Sequence, residues 1–196
     1  MNNRILFALL CVCLNNSICT ADKSADKKKE AASRRLAWDV IERDNLYLAR
    51  VLLNEKGADA NYIVKLTGDS CKMSLLSRVQ SPEMVGVLVE ECGADVNLVI
   101  GGQTALHWAA RAMRTKVVEK LLELKADVNA QDGEPYGTPF HCLVLSEEKS
   151  KELPKIFKML IDAKANPSAK TRADKTVLDC ALASKNIKAV ELLQTI

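Results

Sequence analysis

From Leu36 onward, apolar residues recur with helical spacing and are interrupted at regular intervals by short polar phrases. Four apolar stretches read as second helices: Met84-Val85 to Leu88-Val89, Val117-Val118 to Leu121-Leu122, Ile156 to Leu160-Ile161, and Ala189-Val190 to Leu192-Leu193. Each follows a phrase that opens a first helix, near Cys71, Thr104, Thr138 and Thr176, at intervals of about 33 to 38 residues. Leu46, Leu48, Val51, Leu52 and Leu53 mark one earlier pair, from about Leu36 to Glu55, that lacks the opening phrase. The pattern predicts an all-α solenoid of about five helix-turn-helix units with projecting hairpin-like loops. The units fall near residues 36–66, 67–98, 101–131, 135–169 and 172–196.

The opening phrase reads Thr104-Ala105-Leu106-His107-Trp108-Ala109-Ala110, then Thr138-Pro139-Phe140-His141-Cys142-Leu143, then Thr176-Val177-Leu178-Asp179-Cys180-Ala181. Thr104, Thr138 and Thr176 offer hydroxyls to cap a helix, and Pro139 suits a first turn that needs no N–H donor. A closing phrase alternates with it: Gly57-Ala58-Asp59-Ala60-Asn61, Gly93-Ala94-Asp95-Val96-Asn97 and Lys125-Ala126-Asp127-Val128-Asn129. Gly57 and Gly93 fit the left-handed residue that ends a helix. Lys125 and Lys164 replace that glycine, at about 1 kcal/mol each if the left-handed conformation is kept. The start at Cys71 has lost the polar residues of the phrase. The unit after Thr138 carries an extra stretch from Ser146 to Glu152, and Pro154 fits the next first turn.

Together the two phrases resemble the ankyrin repeat family from about Leu36 to the last residue. The resemblance implies a non-catalytic scaffold for another protein, bound on a concave surface of loops and first helices. It also implies that His107 and His141 hydrogen-bond backbone in the neighbouring loop. The alternatives in function are an exported inhibitor or chaperone-like regulator of an enzyme in the same compartment, and a host-directed secreted effector.

The first residues follow another logic. Met1 to Arg4 is short and positive, Ile5 to Leu14 is apolar, and Cys19-Thr20-Ala21 supplies small residues for cleavage after Ala21. Residues 1–21 therefore read as a signal peptide. The apolar run is too short to span a bilayer, which takes about 20 residues, so no stable membrane anchor is expected. An exported protein follows, periplasmic or secreted. Residues 22–35 are charged and lack large apolar side chains, and read as a flexible linker before the repeat domain at 36–196.

Composition narrows the chemistry. The chain is 48% hydrophobic with only three Phe, three Tyr and two Trp, so aliphatic residues and alanine build its core. A net charge of +3 is too weak to imply nucleic acid. His141 and Cys142 are adjacent, but consecutive helical residues point apart, so they form no catalytic dyad. No phosphate cradle or hydrolase motif is present, and no catalytic residue, metal site or cofactor is expected. Cys142 and Cys180 hold equivalent places in successive units, where packed helices lie about 8–10 Å apart, too far for a disulfide. Cys71, Cys92, Cys142 and Cys180 are expected as small apolar residues.

Binding candidates are the positions that break the pattern. The loops at Tyr62-Ile63-Val64-Lys65 and Leu98-Val99-Ile100 open on apolar residues where polar ones are usual. Tyr62, Val64, Lys65, Leu98, Val99 and Ile100 either form an exposed patch for a partner, or pair along neighbouring hairpins or fold back onto the stack. Met113 and Arg114, at a first-helix end, and Tyr136, in a Gly/Pro loop, complete the set. The expected partner is one other protein bound to a monomer.

Overall fold

A computed structural model describes residues 25–41, 43–65, 72–131, 137–146 and 151–195. The expected signal segment at 1–21, Cys71, Tyr136 and residues 147–150 of the insertion lie outside the described residues.

Helices are laid down in antiparallel pairs. Helix α1 covers residues 25–40 and pairs with α2, which runs from Leu46–Arg50 into Val51–Glu55. A single 3₁₀ turn, Leu76–Arg78, precedes α3, formed by Pro82–Gly86 and Val87–Glu91. Regular pairs follow: α4 (Ala105–Arg111) with α5 (Thr115–Glu123), α6 (Pro139–Val144) with α7 (Leu153–Asp162), and α8 (Val177–Ala183) with α9 (Ile187–Leu193). First helices stack in the order α4, α6, α8 and second helices in the order α3, α5, α7, α9. The chain is thus an all-α repeat solenoid from which a two-stranded hairpin projects, β1 (Ile63–Lys65) against β2 (Lys72–Ser74).

Local chemistry fixes the helix starts. Asn45, Ser81 and Asn186 cap α2, α3 and α9 by accepting from Leu48 N (2.9 Å), Met84 N (3.2 Å) and Ala189 N (3.1 Å). Between the two helix layers lie Leu106, Leu121, Phe140, Leu143, Ile156 and Leu160, all inaccessible to solvent. Phe140 meets Phe157 edge to face at 5.1 Å and 76°. Ala109 and Ala110 are buried where first helices approach closely.

The closing phrase is explained by a ladder that runs from loop to loop. The Asp95 amide donates to Asn61 Oδ1 (2.7 Å), Asp127 to Asn97 Oδ1 (2.8 Å) and Asn166 to Asn129 Oδ1 (2.8 Å). Within each loop the aspartate closes an Asx turn, with Asn61, Asn97 and Asn129 each donating to it at 2.9 Å. Alanines 58, 94, 126 and 165 in the same phrase point into the core.

Two expectations change. Residues 25–35, expected as a flexible linker, are helical, and Ala32 and Ser33 are buried. Ala32, Ser33, Leu36, Ala37 and Val40 line one face at helical spacing, so small residues prolong the apolar stripe of the first pair. Ser33 also begins the ladder, because its hydroxyl accepts from Asp59 N at 2.7 Å. The first helix expected from Cys71 is instead β2 followed by one 3₁₀ turn. Ser74 stands where the threonine of the phrase belongs and Ser77 where its histidine does: Ser74 Oγ accepts from Ser77 N at 3.3 Å and bonds Ser77 Oγ at 2.9 Å. Pro82 then requires extended backbone before it, which Ser81 supplies with φ −115° and ψ 147°, so no room remains for a longer helix.

Lys125 and Lys164 keep the left-handed conformation, with φ of 64° and 69°, as Gly57 and Gly93 do with 65° and 70°. The side chain does not relieve the turn.

Candidate functional site

The opening phrase builds a repeated polar unit at the head of each first helix. Thr104 N and Thr104 Oγ1 both bond His107 Nδ1, at 3.2 and 2.9 Å, and His107 Nε2 bonds the Gly137 carbonyl at 3.1 Å. A carbonyl only accepts, so Nε2 carries the proton and Nδ1 is the acceptor. Thr138 and His141 repeat this at 3.1 and 2.9 Å, with His141 Nε2 donating to Lys175 O at 3.3 Å. Burial pushes the His141 pKa below its usual value, with the neighbouring His107 adding to the shift. Each ring thus caps its own helix and ties it to the next loop. A Cβ at Gly137 would sit 2.9 Å from His141 Nδ1, so glycine is required there, at φ +71°.

In the last unit Asp179 replaces the histidine. Its Oδ2 accepts from Thr176 N (2.9 Å) and Thr176 Oγ1 (2.7 Å), and these bonds hold the carboxyl below its usual pKa. A short side chain suffices there because it makes the cap alone.

Both histidine rings are engaged in capping and loop contacts. His141 is fully buried and its ring serves Thr138 and Lys175, while Cys142 is buried beside it. Cys92 and Cys180 are thiols whose pKa is raised, chiefly by burial. Among the described residues no group of His, Cys, Asp and Glu is placed to hold a metal ion, and no helix is long and apolar enough to cross a membrane.

The binding candidates separate by exposure. Val64 is inaccessible to solvent, so of the two alternatives it takes the one folded onto the stack and is corrected out of the binding candidates, because alternation along β1 turns it inward and Ile63 outward. Ile63 is 40% exposed and joins the candidates, a place that the period of two in Tyr62-Ile63-Val64 signals. Tyr62 is half-buried against the core. Lys65 pairs with Lys72 at the end of the hairpin.

In the second loop Leu98 and Ile100 are half-buried, and Val99 is 53% exposed. Ile100 and Gln103 exchange both backbone bonds, at 3.0 and 3.1 Å, around Gly101-Gly102. Both glycines have positive φ, as a tight two-residue hairpin turn needs. A Cβ on Gly101 would lie 3.5 Å from the Lys72 carbonyl, so the two hairpins are neighbours.

Met113 and Arg114 are also corrected. Met113 is 6% exposed, with φ 53° at the turn after α4, and belongs to the core. Arg114 is half-buried, and its guanidinium donates to the carbonyls of Ser77 (3.2 Å) and Val79 (3.0 Å). Burial lowers its pKa. Its task is to satisfy carbonyls left over by the shortened helix at Leu76–Arg78.

Paired helices, a row of bonded loops and a surface of exposed loop tips define a class: a repeat solenoid built to present a face. A family model for ankyrin repeats in three copies matches residues 36–132, and the chain belongs to the ankyrin repeat family. Ankyrin repeats are a non-catalytic, protein-interaction fold. Comparison with curated proteins finds no match.

Proposed function

We propose that the protein is an exported monomeric scaffold that captures one other protein with its loop tips and the adjoining first-helix face. The observation that carries this reading is the exposed apolar pair Ile63 and Val99 on neighbouring hairpins. Apolar side chains at the centre of a rigid polar surface are what a partner desolvates on docking. The loop ladder supports it, since loops bonded to one another lose little freedom on binding. Export rests on the positive start, short apolar run and small residues of positions 1–21.

Affinity capture from the native compartment, with wild type and an Ile63→Ser/Val99→Ser variant side by side, tests the site. A partner enriched by wild type and lost from the variant, with unchanged circular dichroism, is expected. Equal enrichment by both would remove the loop tips from the interface. Export is checked by the mass of the mature chain, expected to begin at Asp22; a full-length cytosolic protein refutes it.

A further inference from the structure

Leu178 and Leu182 stand one turn apart on α8, and both are exposed, at 38% and 56%. Their counterparts in the two preceding first helices are Leu106 and Ala110 in α4, and Phe140 and Val144 in α6. All four are inaccessible to solvent, because α6 stacks on α4 and α8 on α6. The second layer repeats the contrast. Val190 and Leu193 of α9 are half-buried, where Val118 and Leu121 of α5 are inaccessible. The last described unit thus carries the apolar face of an internal unit, and no described residue closes over its two leucines.

Solenoid ends ordinarily turn a polar face outward. The other end of this stack does so, with Lys27, Arg34 and Arg35 of α1 exposed. What fits the apolar end is shown by α8 itself. It buries Val177, Cys180 and Ala181, at i, i+3 and i+4, and these modest side chains let it lie close to α6. Continuing the stack requires the same stripe of the next helix. A second copy does not supply it. Its own α8 stripe is already packed on α6, and its charged end would strip water from lysine and arginine against leucine.

We propose that the last unit is a docking face for an α-helix of another protein, one with small apolar side chains at i, i+3 and i+4 seated on Leu178 and Leu182. Such a helix extends the stack from outside, by the same packing that joins α8 to α6. Helices α4 and α6 separate this face from Ile63 and Val99, so the helix does not compete with capture at the loop tips.

The probe is a fluorescein-labelled peptide that repeats the α8 stripe, with valine and alanine at i, i+3 and i+4 and glutamine elsewhere. A hydrocarbon staple holds it helical, since a short free helix is marginal in water. Binding to the purified chain is read by fluorescence anisotropy. One control peptide carries serine along the stripe, and an unstapled one carries proline at its centre to break the helix. Saturable binding of the first peptide alone is expected. Leu178→Ser/Leu182→Ser should weaken it at least about tenfold through lost apolar contact, with unchanged circular dichroism. Leu182→Lys, at the more exposed position, replaces the double variant if that one misfolds. Ile63→Ser/Val99→Ser should leave binding unchanged. No binding at all, control peptides binding as tightly as the first, full binding in the leucine variant, or loss of binding in Ile63→Ser/Val99→Ser overturns the proposal. Sedimentation velocity of the chain alone should show one species of monomer mass. A dimer that Leu178→Ser/Leu182→Ser dissolves would assign the face to a second copy and overturn the proposal as well.

Discussion

Replacing His107 measures how much of the stack depends on the opening phrase. The ring is 1% exposed and serves three bonds: two from Thr104, at 3.2 and 2.9 Å, and one to the Gly137 carbonyl at 3.1 Å. His107→Ala leaves a buried N–H and a buried carbonyl without partners, at about 1–3 kcal/mol each. With the cavity left by the ring, the total loss is roughly 3–5 kcal/mol. His107→Asn behaves differently. Asp179 shows that a short side-chain oxygen can hold both threonine donors, at 2.9 and 2.7 Å. Asparagine should therefore keep the cap and lose only the bond to the next loop, about 1–2 kcal/mol.

Urea unfolding followed by circular dichroism separates the two. With a slope near 2 kcal/mol per molar urea, His107→Ala should lower the midpoint by about 2 M and His107→Asn by less than about 1 M. Amide exchange at Thr104 gives a local readout, accelerated in the alanine variant and protected in the asparagine one. If alanine costs under about 1 kcal/mol, or asparagine costs as much as alanine, the ring is not the tie between helix and loop that its bonds imply.

Two further outcomes follow from the geometry. His141 has a folded pKa depressed by burial, so between that value and the ordinary one near 6.5 the unfolded chain binds the extra proton. Stability is full above about pH 7 and falls as pH drops through the unfolded value, levelling off below the folded one; a urea midpoint that does not fall between about pH 7.5 and 5.5 refutes this. Lys125→Gly and Lys164→Gly should each raise stability by about 0.5–1 kcal/mol, since φ of 64° and 69° strains any side chain. Thermal melts that show no increase in either variant contradict it.

The fold was legible because each phrase encodes a local requirement that recurs. Threonine marks a cap, glycine a left-handed helix end, and asparagine a loop that must bond the next loop. None of these depends on knowing the partner helix. The spacer before Leu36 escaped notice for a matching reason. Alanine and serine bury little area by themselves, so composition marks such a stretch as solvated. Ser33 becomes structural only because Asp59 presents an unpaired N–H 26 positions later. That donor is invisible until the first loop is drawn in space.

Exposure is harder still to read from one strand of text, because it belongs to the neighbour as much as to the residue. Met113 and Arg114 break the pattern, and a break on a regular solenoid points to a partner outside. Here the break answers a second irregularity inside the chain. The first helix of the preceding unit shrinks to Leu76–Arg78, and the carbonyls of Ser77 and Val79 lose their helical donors. An arginine one unit away is long enough to reach them and carries several donors in a planar fork. The two departures compensate each other, which removes Arg114 from the candidate interface. The apolar loop residues Ile63 and Val99 are the contrasting case: both remain exposed at the surface. A departure that another departure satisfies is structural, and one left unsatisfied at the surface is where a partner is to be sought.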